Sequence, residues 1–121
     1  MKTQTCIMNA ATVKEAKERA YNQYRDRAIY VRPYKYASRG NNFYEFVVFA
    51  TVSQAYKALH ATNFTENQTV KSLKTGDVLQ VKKIKDTLLI CIDPNEPKRN
   101  YPMGFFQPTY ILSKKNAIII D

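Results

Sequence analysis

The sequence predicts an α+β domain, with one N-terminal amphipathic helix and a short second helix packed on a mostly antiparallel, strongly curved sheet or small open barrel. Three observations predict it. Small and apolar residues recur at spacings of three and four over residues 13–27. Alternating, β-rich segments later in the chain are separated by turn clusters. The length of 121 residues buries about two-thirds of the unfolded surface by size scaling, enough for one core and too little for two. A single basic domain over 1–121 follows, with a β-α-β-β-α half over 1–61 and two hairpins over 71–121.

A short opening strand is predicted over 2–8, with Cys6 and Met8 on one face and Thr5 and Ile7 on the other. Thr12 and Glu15 then have the spacing of a capping box. Behind them Val13, Ala16, Ala20, Tyr24 and Ala28 form a stripe whose small residues allow close approach to a sheet. Residues 28–36 and 43–52 read as a hairpin around the turn cluster at 37–42, with Pro33 pushing the first strand to an edge or a bulge. Ser53 is the expected cap of a short helix over 54–60, and 62–70 is expected to be a loop.

The turn Lys74-Thr75-Gly76-Asp77 launches a strand over 78–84, and residues 87–93 return it. The order β-α-β-β-α followed by four strands suits a helix-plus-sheet domain or a small open barrel, and the stretch 72–81 resembles the strand entry of many small SH3-like, OB-like and PUA-like barrels. A proline-rich loop over 93–104 leads to a third expected hairpin, 105–112 with 117–121, around a turn at 113–116.

Composition narrows function mainly by exclusion. Apolar residues at 45% and charged residues at 24% are globular averages, so disorder is not expected. The longest apolar runs, 46–50 and 88–92, fall far short of the roughly 20 residues that span a bilayer, and 1–9 does not read as a secretory signal. Two cysteines without such a signal point to a reducing, cytoplasmic setting and to core thiols at Cys6 and Cys91. With His60 they form no ligand cluster, so no metal is expected. Three glycines, Gly40, Gly76 and Gly104, make no phosphate loop, and no cofactor is implied. No catalytic residue is assigned.

Charge is more informative. Residues 1–40 hold nine Lys and Arg against three acids, +6 of the chain's net +9, and five of the nine tyrosines lie between 21 and 36. With a period of two, Tyr30, Arg32, Tyr34 and Tyr36 would share one face of a strand. Guanidinium groups hold phosphates and phenol rings stack on unpaired bases, so the pattern predicts a non-enzymatic module for RNA or single-stranded DNA. Its expected contacts are Arg19, Arg25, Arg27, Tyr30, Arg32, Tyr34, Lys35, Tyr36 and Arg39. The basic hairpin tip Lys82, Lys83 and Lys85, and the loop residues Lys98, Arg99 and Tyr101, would extend the track.

Two other readings stay open. A small ribonuclease of the toxin sort, working without histidine, would use Arg27, Arg32, Tyr34, Lys35 and Tyr101. A phage or mobile-element interaction protein would instead set its basic surface against an acidic host protein. Membrane binding is not expected, because the basic helix lacks a broad, bulky apolar face. Oligomeric state is left open.

Overall fold

The computed structural model describes residues 3–38, 41–96, 99–101 and 104–120, with side chains described at all of these except 35–38, 41, 99–101 and 104–106. The elements in chain order are β1 (Thr3–Ala10), α1 (Val13–Tyr24), a 3₁₀ turn (Arg25–Arg27), β2 (Ala28–Ser38), β3 (Asn41–Phe49) and α2 (Val52–Leu59). After these come β4 (Thr69–Ser72), β5 (Val78–Lys85), β6 (Leu88–Ile92), β7 (Arg99–Tyr101), β8 (Gly104–Phe106) and β9 (Tyr110–Ser113). A 3₁₀ turn (Lys114–Asn116) and β10 (Ala117–Ile119) complete the described elements. No described helix is long and apolar enough to cross a membrane.

The α+β class stands, with every described strand pair antiparallel. The single curved sheet or open barrel does not. Strands divide into a three-stranded sheet ordered β1-β3-β2, a five-stranded sheet ordered β10-β4-β5-β6-β9 and a two-stranded ribbon β7-β8. The two larger sheets are distinct: residues 60–66 bond to no strand, and from Asn67, whose amide donates to the Val81 carbonyl of β5 at 2.7 Å, the chain runs into β4 and a new sheet. Nor does the larger sheet close, since β9 and β10 are its outer strands and do not pair with each other. The expected third hairpin is corrected by the same fact. The 3₁₀ turn at Lys114–Asn116 carries the chain from one edge strand to the other, where β9 pairs with β6 and β10 with β4.

Local chemistry explains the helices. Thr12 Oγ1 accepts from the Glu15 amide at 3.2 Å, while Glu15 Oε2 accepts from the Ala11 amide at 3.3 Å, so the capping box forms one residue wider than expected. The cap of α2 is Thr51, not Ser53: its extended backbone (φ −135°, ψ 156°) lets Oγ1 accept from the Gln54 amide at 3.1 Å. Ser53 already lies inside the first turn. The expected loop over 62–70 ends in β4, whose Lys71 and Ser72 are polar yet buried.

Both faces of the three-stranded sheet are covered. Met8, Ala10, Tyr44 and Phe46 pack under Ala16 and Ala20 of α1. On the other face Ile29, Val31, Val47 and Phe49 pack against Ala55 and Ala58 of α2 and Ile118 of β10. A further core of Val70, Leu79, Val81, Leu89, Cys91 and Leu112 fills the five-stranded sheet, with Phe64 from the preceding loop.

The two sheets are also joined by charge. Glu45 of β3, 3% exposed, accepts from Lys71 Nζ of β4 at 2.8 Å and from Arg32 Nε of β2 at 3.0 Å. Lys71 is itself buried, whereas the Arg32 side chain is 31% exposed. The turn between β4 and β5 passes close to Arg32. Gly76 there adopts φ +78°, and a Cβ at this position would lie 2.3 Å from Arg32 Nε.

A buried ion that loses one partner is destabilising by about 3–5 kcal/mol, whereas removing both ions together is often neutral. Glu45 keeps Arg32 when Lys71 is lost, so Lys71→Met should lower unfolding free energy by less than that, about 1–3 kcal/mol, and adding Glu45→Leu should restore part of it. Urea denaturation of the single and double variants checks this. A Lys71→Met variant as stable as the wild type would refute it.

Candidate functional site

Tyr30 and Arg32 do not share the expected face of β2, and the reason is register. Tyr30 pairs with Phe46 but Arg32 pairs with Glu45, so one residue of β2 is extra, and further shifts follow between Pro33 and Lys35 and between Lys35 and Ser38. The first shift is a bulge at Val31, which turns Arg32 to the face of Val31 and Glu45, opposite Tyr30. Tyr30 is instead packed beneath α1. Its ring lies 5.5 Å from that of Phe46 and 6.3 Å from that of Tyr44, with Lys17 Nζ 5.1 Å from its centroid. Burial, and then the neighbouring Tyr44, push its phenol above the ordinary 10.0.

The other expected contacts are dispersed. Arg19 pairs with Glu15 at 2.8 Å and also donates to the Asn9 carbonyl. Arg27 donates to the Phe49 carbonyl at 3.1 Å and lies over the half-buried ring of Tyr24. Tyr34 is exposed, with the Arg32 guanidinium 5.8 Å from its ring. Lys82, Lys83 and Lys85 are exposed on β5, where Lys82 donates to Asn67 Oδ1 at 3.4 Å. Arg39 and Lys98 lie outside the described residues. Lys35, Tyr36, Arg99 and Tyr101 lie on described strands, but their side chains are outside the described ones. The ribonuclease candidates Arg27 and Arg32 stand near opposite ends of the first stretch of β2, each bonded to a different partner.

What the fold does assemble is a groove between α1 and α2. Its volume is about 1200 Å³ and its floor is Ala28, Ile29, Tyr30 and Phe46. From α1 it receives Lys14, Lys17, Tyr21 and, at the C-terminal end, Arg25; from α2 it receives Val52, Tyr56 and Leu59. Lys14, Lys17 and Tyr21 follow spacings of three and four, which puts them on one helix face, whereas Arg25 follows the helix on a non-helical backbone. Tyr21 is 51% exposed and Tyr56 64% exposed, so both rings are open to a ligand. His60 stacks on Tyr56 with centroids 4.3 Å apart. A smaller hollow of about 420 Å³ shares Leu59 and Leu73 with the groove and adds His60, Lys114 and Lys115. Glu18 and Asp26 are the acids among these lining residues.

Arg25 is held there by an uncommon backbone. It caps α1 with φ +57° and ψ −143°, its amide donating to the Tyr21 carbonyl. Side chains rarely adopt this conformation, and it costs about 1–3 kcal/mol. Of the residues expected from sequence, Arg25 and Tyr30 line the groove; Lys14, Lys17, Tyr21, Tyr56, Lys114 and Lys115 were missed. The signal for Lys14, Lys17 and Tyr21 is their helical spacing on α1, on a different face from the apolar stripe of Ala16 and Ala20.

Comparison with protein-family models, curated proteins and solved structures finds no significant match.

The raised Tyr30 phenol sets an alkaline limit on stability. In the unfolded chain it ionises near 10.0 and in the folded chain above it, so its contribution is complete below pH 10 and is lost as pH rises through the folded value. Urea unfolding from pH 8 to pH 11 should show a steeper loss above pH 10 in the wild type than in Tyr30→Phe. Parallel curves would count against this burial effect.

Proposed function

We propose that the chain is a non-enzymatic module that binds single-stranded nucleic acid in the groove between α1 and α2. The reading is carried by one observation: two exposed tyrosine rings from different helices line a groove that also carries Lys14, Lys17 and Arg25. Bases stack on Tyr21 and Tyr56, while the three cations hold phosphates. Lys114 and Lys115 extend the phosphate track past Leu59. A single strand suits this arrangement because its bases are free to stack, and stacking contributes about 1–3 kcal/mol per base. Arg supplies bidentate phosphate contact, and its place at Arg25 is maintained despite the backbone conformation described above.

Fluorescence anisotropy with labelled RNA, single-stranded DNA and duplex DNA tests the reading. Five phosphate contacts on a single strand predict affinity about a hundredfold weaker at 200 mM than at 50 mM salt. Tyr21→Ala and Tyr56→Ala should each weaken binding by about 1–3 kcal/mol. Arg25→Gly should weaken binding and yet raise unfolding free energy by about 1 kcal/mol, because glycine relieves the backbone. Salt-independent affinity, or full binding by both tyrosine variants, would overturn the proposal. Cleavage of the labelled RNA would replace it with the ribonuclease reading.

A second reading has its own observation. Val52 and Leu59 are about half exposed at the same groove, which suits a protein partner with apolar contacts and an acidic rim. A partner retained on the immobilised chain after nuclease digestion, and lost from Leu59→Lys, would favour it. Loss of all partners on digestion would count against it.

A further inference from the structure

The floor and the walls of the groove differ in chemistry. Of the strand residues that form the floor, Ala28, Ile29, Tyr30 and Phe46, only Tyr30 carries a polar side-chain atom. The other uncharged polar residues of the lining, Tyr21, Asn22 and Tyr56, are exposed on the helices. Tyr30 is half-buried, and its ring is fixed by Phe46 at 5.5 Å and Tyr44 at 6.3 Å. Among the described residues its hydroxyl has no hydrogen-bond partner, yet it is not sealed from solvent. A phenol both donates and accepts, and burial keeps this one protonated well past neutral pH. A ring already fixed by packing has little freedom left to lose when a ligand binds.

Its position relative to α1 decides what that hydroxyl meets. Lys17 and Tyr21 are one helical turn apart, a spacing that puts Cβ atoms about 5–6 Å from each other. One nucleotide spans such a gap from its phosphate to its base. Lys17 also has its Nζ 5.1 Å from the centroid of the Tyr30 ring. A phosphate held by Lys17 and a base stacked on Tyr21 leave the sugar between them, with Tyr30 beneath. Ala28, Ile29 and Phe46 offer that sugar no side-chain hydrogen bond.

We infer that the Tyr30 hydroxyl binds the ribose 2′-hydroxyl and makes the groove selective for RNA over single-stranded DNA. The inference rests on the nucleic-acid reading above and narrows it to one polymer. The two hydroxyls are matched, since each donates and accepts. The 2′-hydroxyl is also the group by which a protein tells the two sugars apart at a given site. A deoxyribose covers the same phenol with a C–H and leaves it unpaired. One such hydrogen bond gives a preference of about three- to tenfold.

Fluorescence anisotropy with oligouridylate, its 2′-deoxy form and its 2′-fluoro form tests this at neutral pH, because the base is the same in all three. The wild type should bind the ribo strand about three- to tenfold more tightly than the deoxy strand. The 2′-fluoro strand keeps an RNA-like sugar pucker but cannot donate, so it should bind like the deoxy strand. Tyr30→Phe keeps the ring and its packing, which circular dichroism checks, and should bring the ratio of ribo to deoxy affinity to about one. Tyr56→Ala, on the opposite wall, should weaken both strands and retain the ratio. Equal affinity of the wild type for ribo and deoxy strands overturns the inference. So does a preference that survives Tyr30→Phe or extends to the 2′-fluoro strand. Absence of salt-dependent binding to every strand is a separate failure, which overturns the groove reading itself.

Discussion

One carboxylate ties the two sheets together. Glu45 sits on the central strand of the three-stranded sheet, almost sealed from water, and takes a lysine from the five-stranded sheet and an arginine from its own neighbour. Neither Glu45 nor Lys71 tolerates that position alone, since an isolated buried charge is far more costly than a pair. The pair also fixes alignment. Lys71 reaches Glu45 only if β4 crosses the α2 side of β3, and this crossing places Ile118 among Ile29, Val47 and Phe49. Arg32 completes the cluster only because the bulge in β2 turns it inward, and Gly76 leaves the space its guanidinium occupies.

That constraint explains where recognition chemistry is and is not found. With one face of the small sheet packed on α1 and the other on α2 and β10, its central strand β3 is buried from Tyr44 to Phe49 and offers no open platform. The exposed rings come instead from helices. Tyr21 and Tyr56 stand on the outer faces of α1 and α2, whose inner faces are alanines that let each helix lie close to the strands. The groove runs past Ala28, Ile29 and Tyr30, where the two helices approach β2, and is flanked by Lys14, Lys17 and Arg25.

Legibility of the sequence tracked the range of the interaction. The cap at Thr12, the stripe of Val13, Ala16 and Ala20, the hairpin of β2 with β3 and the turn at Gly76 all depend on neighbours a few residues away, and each was readable. The loop expected over 62–70 runs into β4 at Thr69, and no local pattern foretells that Lys71, just past it, is buried, because the Glu45 that pairs with it is distant in sequence. The bulge at Val31 depends on the partner strand, and the assignment of Tyr30 and Arg32 to one face failed with it. The pairing of β9 and β10 at opposite edges is likewise a long-range choice. For the candidate site, a helical period applied to Lys14, Lys17 and Tyr21 finds one wall. The other wall, Tyr56, has no local pattern linking it to them.

The seating of Ile118 has a consequence for biogenesis. It is 1% exposed, and its neighbours Ile29, Val47, Phe49 and Ala58 all precede it by at least sixty residues. While the chain is still emerging from a ribosome, those four face water on one side, and a nascent chain stopped before this isoleucine has no complete interior to protect it. Compaction of this core therefore waits until residue 118 has been made, and until then the early strands depend on whatever holds nascent apolar segments apart.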